Sequence, residues 1–219
     1  DDWLRPQLCE EALRLGRIAA QLVPGEAEVH GLVALMELQA SRLRARTGPG
    51  GEPVRLLDQD RGRWDGVLIG RGLAALARAE ALARGAGAPL GPYALQAAIA
   101  ACHARARTAA ATDWDRIESL YAALAEAAPS PVVALNHAVA VSMARGPVAG
   151  LALVDALAGD GAAGRALRAY HLLPAVRGDL LERLGRHDEA RDEFSRAAAL
   201  TRNERERALL QRRADEQGT

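Results

Sequence analysis

Apolar side chains recur at three- and four-residue spacings through most of the chain. Leu8, Ala12, Leu15, Ala19 and Leu22 share one face of a helix predicted from Pro6 to Leu22, with Pro6 suited to its first turn. The stretch "VPGE" interrupts the pattern. Val29, Leu32, Val33, Met36, Ala40 and Leu43 resume it in a second helix, from about Glu26 to Arg46. "TGPGGEP", Thr47 to Pro53, reads as a loop, and a third helix is predicted from about Arg63 to Arg84, closed by "GAGAPLGP". From Gly91 onward helical segments alternate with short breaks. "RALRAYHLLPAVRGDLLERLG" reads as the longest of them. No segment shows the period-two alternation of a strand, so the expected class is all-α.

Within the helical pattern a spacing repeats. In "LLERLGRHDEARDEFSRAAALTRN", Gly178, Leu181 and Gly185 precede Ala190, and Phe194 and Ala197 follow it. Small residues at such positions let two antiparallel helices approach, and the aromatic fills the space beneath the next unit, as in a tetratricopeptide-type hairpin. Ile117, Tyr121, Leu124 and Pro129 fit the same frame. A weaker copy follows Gly146, with Gly150 or Leu151 at the small position. The architecture expected is therefore tetratricopeptide-like helical hairpins stacked in a short solenoid over residues 89–219, preceded by an N-terminal helical part over residues 1–88.

Composition sharpens this reading. Aromatics are only 3% of the chain while apolar residues make up 49%, mostly Ala, Leu and Val, which suits closely packed helices. Lys plus Arg and Asp plus Glu are 28 each, a net charge of zero. A nucleic-acid-binding domain ordinarily carries a basic excess to neutralise phosphates, so no nucleic acid is expected to bind this chain by itself. Cys9 and Cys102 are lone thiols without metal-binding spacing, as in a reducing cytoplasm. No apolar run approaches the length of a membrane span. No signal peptide is visible, and the opening "DDWLRPQLCEEALRL" reads as the continuation of a longer protein.

Candidate chemistry concentrates in one place. "RLLDQDRGRWD", Arg55 to Asp65, holds three carboxylates, three arginines and a tryptophan. Asp58, Asp60 and Gly62 faintly resemble a calcium loop, but Gly62, Arg63 and Ile69 occupy positions where an EF-hand needs oxygen, glycine and glutamate. Asp60 is placed to cap the following helix, whose apolar face begins at Trp64. Arg61 or Arg63 is positioned to pair with Asp58 or Asp65, and Gln59 to satisfy backbone groups of the long loop. Two readings follow for Asp58, Gln59, Asp60, Arg61, Trp64 and Asp65. They form either a hydrogen-bonded clasp between loop and core or a partner-binding surface built on Trp and Arg.

Other motifs are weaker. Gly70-x-Gly72-x-x-Ala75 imitates a dinucleotide fingerprint, but helical periodicity runs through it, which suits a helix crossing rather than a phosphate turn. Tyr93, Gln96 and His103 fall on one face of an Ala-rich helix, and Asn136 sits early in a later helix; these four are the candidates for a polar, peptide-holding groove. The five histidines are scattered, and neither HExxH nor GxSxG occurs. No enzymatic activity, cofactor or metal is expected.

Several blocks in order carry a family resemblance: "LCEEALRL", "LLDQDRGRWD", "GPYALQAAIAACHA", "DWDRIESLYAAL", "SPVVALNHAVAV", "AYHLLPAVRGDLLERLGR" and "NERERALLQRR". Together they resemble the long, tetratricopeptide-like C-terminal extension of one group of bacterial extracytoplasmic-function sigma factors, over essentially the whole chain. The resemblance implies a non-catalytic, cytoplasmic, protein-binding role in transcription initiation, with the partner being the protein's own sigma regions, RNA polymerase or a regulator. It also implies that promoter DNA is read by upstream regions that this chain does not contain. A stand-alone helical-repeat adaptor and a helical small-molecule sensor or enzyme are the rival readings.

Overall fold

The computed structural model describes residues 5–159 and 161–218, and all of Pro6 but its side chain. Among the described residues the chain is all-α, with no strand. An isolated antiparallel bridge between Thr47 and Pro53 closes the glycine-rich loop. The contacts divide the chain into two compact units, residues 1–127 and residues 128–219.

The first unit contains α1 (Pro6–Leu22), α2 (Ala27–Ala40), α3 (Gly66–Gly85), α4 (Pro92–Arg105) and α5 (Trp114–Ala127). α2 is its centre, packing against α1, α3 and α4, while α5 packs on α4. Ala34, Leu38, Leu76, Ala79, Ala97 and Ala101 are almost wholly buried, so much of the core is lined by alanine and its helices lie close together. Gly72 is one such point of approach, because a Cβ there would stand 2.7 Å from Leu38 Cγ. The Gly70–Ala75 stretch is thus a helix crossing, with helical backbone throughout. α1 is held to α2 by an ion pair between Arg17 and the buried Glu37, 2.7 Å long.

Boundaries differ from the sequence expectation in three places, each for a local reason. The second helix stops at Ala40 and continues only as a 3-10 turn, Leu43–Ala45. There the Ser41 hydroxyl donates to Leu38 O at 2.7 Å, and Ser41 O accepts the distant Asp65 N at 2.9 Å, so its carbonyl turns from the helix ladder to another segment. Long-range contacts also place α4 and α5 with the first three helices, so the chain divides after Ala127 rather than at residue 88. The third difference lies in the second unit.

The second unit runs through α6 (Pro131–Arg145), α7 (Pro147–Ala158), α8 (Ala162–Leu167), α9 (Leu172–Arg183), α10 (His187–Leu200) and α11 (Glu204–Glu216). α6 packs on α7, α7 on α9, α9 on α10, and α10 on α11. What reads in sequence as one long helix is two, α8 and α9. Pro174, in the first turn of α9, has no N–H to donate, and its ring would collide with the carbonyl of a preceding helical turn.

Helix ends follow familiar chemistry. Ser130 Oγ accepts Val132 N at 3.2 Å at the start of α6, and Asn203 Oδ1 accepts Arg205 N at 3.0 Å at the start of α11. Gly185, at φ +72°, ends α9 in a left-handed conformation, with Arg186 N donating to Leu181 O. The α9–α10 pair has the small-large-small seam expected of it. Ala190, Phe194 and Ala197 are fully buried, and a Cβ on Gly178 would stand 2.7 Å from the Phe194 ring. At the α6–α7 crossing Gly150, rather than Leu151, is the close-approach residue, where a Cβ would meet Ser142 and Ala138 O.

Candidate functional site

The segment from Arg55 to Asp65 is folded as two 3-10 turns, Leu56–Asp58 and Arg61–Arg63, and delivers the chain into α3. Both turns are short because each is closed by its own polar residues. Arg55 Nε pairs with Asp58 Oδ2 at 2.7 Å in an exposed contact. Asp60 Oδ1 accepts Gly62 N at 2.9 Å, so Asp60 caps the second 3-10 turn rather than the α-helix after it. The N-cap of α3 is Asp65, whose Oδ1 accepts Val67 N at 2.9 Å and Leu68 N at 3.1 Å.

The two later arginines bind backbone, not the neighbouring carboxylates. Arg61 reaches across the unit to the last turn of α4 and donates to His103 O, to Ala106 O at 3.1 Å and to Thr112 Oγ1 at 3.2 Å. Carbonyls at a helix C-terminus lack intrahelical partners and carry the negative end of the helix dipole, so a guanidinium is well matched to them. Arg63 Nη1 donates to Thr47 O at 3.3 Å, and Gln59 Nε2 donates to Val54 O at 3.2 Å within the long loop.

Trp64 is only 8% exposed and has guanidinium groups against its ring, Arg61 at 4.9 Å and Arg42 at 5.7 Å from the ring centre. His103 is also buried, with its ring edge-on to Trp114 at 5.3 Å. Burial first, then the charges of Arg42 and Arg61, push the His103 imidazole down to about 4, so it is neutral at ordinary pH. Burial, then Arg46 and Arg61, likewise lower Arg42 to about 10. The Trp64 Nε1, Arg61 Nε, His103 Nδ1 and Gln59 Oε1 atoms are buried without a protein partner. The neighbourhood is thus cationic and apolar at once. Among the described residues none of Arg42, Arg46, Arg61 and Arg63 lies within ion-pairing distance of a carboxylate.

The polar stripe expected on α4 does not assemble into one open face. Tyr93 is 45% exposed, Gln96 is half-buried and donates to Pro92 O at 3.2 Å, and His103 faces the core. Asn136 is exposed on α6, in the other unit. Sequence reasoning missed Arg42, Arg46 and Gln39. Both arginines donate to Gln39 Oε1, Arg46 at 2.8 Å. The signal was present in "SRLRAR", where arginines recur at the end of an apolar helix. It also missed Glu28, whose carboxylate on α2 accepts Tyr93 N at 2.9 Å and Ala94 N at 3.1 Å and so caps α4 from a distance.

Residues 1–80 match a family model described as a family of unknown function (DUF6596). A curated relative, "Uncharacterized protein R00370" of Rhizobium meliloti (strain 1021), is 47% identical over 208 residues, which cover 95% of this chain and 47% of that protein. The chain therefore spans about half the length of the curated relative it matches. No solved structure matches it. No helix among the described residues is long and apolar enough to cross a membrane.

Proposed function

We propose that this chain is a non-catalytic, protein-binding regulatory part of an alternative sigma factor acting in transcription initiation. One observation carries the non-catalytic half of that reading. The densest set of functional side chains in the sequence is engaged with the backbone, Asp65 on the amides of α3 and Arg61 on the carbonyls of α4. Such groups hold a scaffold rather than wait for a substrate. The transcription half rests on the ordered blocks that resemble the sigma-factor extension. The greater length of the relative is compatible with it, since promoter-reading regions need sequence beyond a chain of this kind.

The partner in this reading is protein: the sigma regions of the same polypeptide, the polymerase or a regulator. The chain alone contributes no DNA affinity, in keeping with its zero net charge. The test is run-off transcription with purified polymerase and the full-length gene product, beside the same product lacking these 219 residues. Initiation is expected to collapse on deletion, and a truncated factor that initiates as well as the intact one would refute the role. The adaptor reading is favoured by the close-packed α9–α10 hairpin, and would replace this one if the parent reading frame carried no promoter-binding region.

A further inference from the structure

Between the first half of α1 and the second half of α2 lies a groove of about 210 Å³, lined by apolar Leu13, Met36, Ala40 and Leu43 together with Cys9, Gln39 and Arg46. Ala12, which also lines it, shares a helix face with Leu8 and Leu15, one turn to either side. That face is uncovered: Leu8 is 59% exposed, Leu15 53% and Leu22 77%. From Leu8 to Leu22 it extends about 21 Å at the rise of an α-helix. A small ligand fills the groove but not that length; an apposed helix of about four turns covers both.

Charge selects which helix. Arg42 and Arg46 stand side by side on the single neutral oxygen of Gln39, and among the described residues neither has a carboxylate partner. Both are half-buried, where an unpaired guanidinium is poorly solvated and a carboxylate is the natural complement. We propose that the α1–α2 groove is the docking site for an acidic amphipathic helix of a partner protein. Its apolar side chains at i, i+3/i+4 and i+7 lie along Leu8 and Leu15 and enter the groove, and a Glu or Asp on its flank bridges Arg42 and Arg46. The assignment goes beyond the transcription role and is measured without polymerase, so either can fail alone.

The structure supplies its own reporter. Cys9 lines the groove and is half-buried, while Cys102 is buried in the core, so alkylation of Cys9 reads groove occupancy. The probe is a fluorescein-labelled helical peptide of about five turns with Leu at i, i+3, i+4 and i+7 and Glu elsewhere, beside a twin with every Glu replaced by Lys. The acidic peptide is expected to bind the full 219-residue chain at about micromolar Kd by anisotropy and to slow Cys9 alkylation, with the Lys twin doing neither. Arg46→Gln and, independently, the exposed Leu15→Glu should each weaken binding by at least about tenfold at unchanged circular dichroism. If Arg46→Gln fails to fold, Leu15→Glu decides the apolar face and the Lys twin decides the charge. Equal binding of the two peptides, no binding of the acidic one, unaltered Cys9 reactivity, or full affinity in Leu15→Glu would overturn the proposal. So would concentration-dependent dimerisation in sedimentation that Leu15→Glu abolishes, since the occupant would then be a second copy of the chain.

Discussion

Arg61 donates to Ala106 O at 3.1 Å across 45 residues of sequence, and thereby ties the segment before α3 to the end of α4. The same guanidinium serves His103 O and Thr112 Oγ1, so one side chain satisfies three acceptors on an adjoining helix end and loop.

Removing it should be costly. Arg61→Ala is expected to destabilise the chain by about 1.5–3 kcal/mol, the range for hydrogen bonds to a charged group in a partly buried setting. Arg61→Lys should recover little, because an ammonium cannot reproduce the planar fork that spans three acceptors. Urea denaturation of both variants checks this, and a Lys variant as stable as the parent would contradict it.

Asp65 and Asp60 separate cleanly by substitution. Asp65→Ala uncaps a twenty-residue helix and should cost about 0.5–2 kcal/mol. Asp60→Ala loses a single contact to Gly62 N in an exposed turn and should cost less than Asp65→Ala. The reverse order of midpoints in the same denaturation series would reject the capping assignment.

Trp64 distinguishes a structural role from an exposed hot spot. Its ring is buried against Arg61 and Arg42, so Trp64→Ala should cost about 3–5 kcal/mol with no partner present. A variant melting at the parent temperature would mean that the indole stabilises only a complex.

Acidification should act through His103. Its folded-state value of about 4 lies below the ordinary histidine value near 6.5, so the unfolded chain binds the extra proton first as pH falls. The neutral imidazole therefore contributes stability fully above about pH 6.5, and that contribution is lost progressively down to about pH 4, on the order of 3 kcal/mol in all. Comparison of unfolding free energies of the parent and His103→Gln between those pH values isolates it, and parallel curves would rule it out.

In the second unit the α9–α10 seam has no room. Ala190→Leu is expected to overpack it by about 1–3 kcal/mol, and Gly178→Ala, which drives a methyl against Phe194, by a comparable amount. Unchanged melting of both would reject the register.

Local chemistry was legible in the sequence and distant chemistry was not. The helices at Pro6–Leu22, Pro131–Arg145 and His187–Leu200 announce themselves through periodicity and their breakers, and the Gly178–Ala190–Phe194 spacing is visible because it is a property of two adjacent helices. The carboxylates and arginines at 55–65 are conspicuous, and the three carboxylates do bond within three residues, but Arg61 and Arg63 find partners 16 to 51 residues away. Asp60 reads as the α-helix cap because a 3-10 turn between it and α3 leaves no mark in hydrophobic pattern. Spacing assigns Arg61 to Asp58 or Asp65, whereas its partners lie 42 to 51 residues away, a separation on which spacing says nothing. The division after Ala127 was hidden for the same reason, since α5 has the periodicity of any amphipathic helix and only its packing on α4 assigns it.

α4 is fastened at both ends by side chains that precede it in the chain, Glu28 on its first amides and Arg61 on its last carbonyls. On a ribosome both fasteners are synthesised before the helix they hold. The fourteen residues of α4, too few to be a stable helix alone, therefore follow both of their anchoring segments in the order of synthesis.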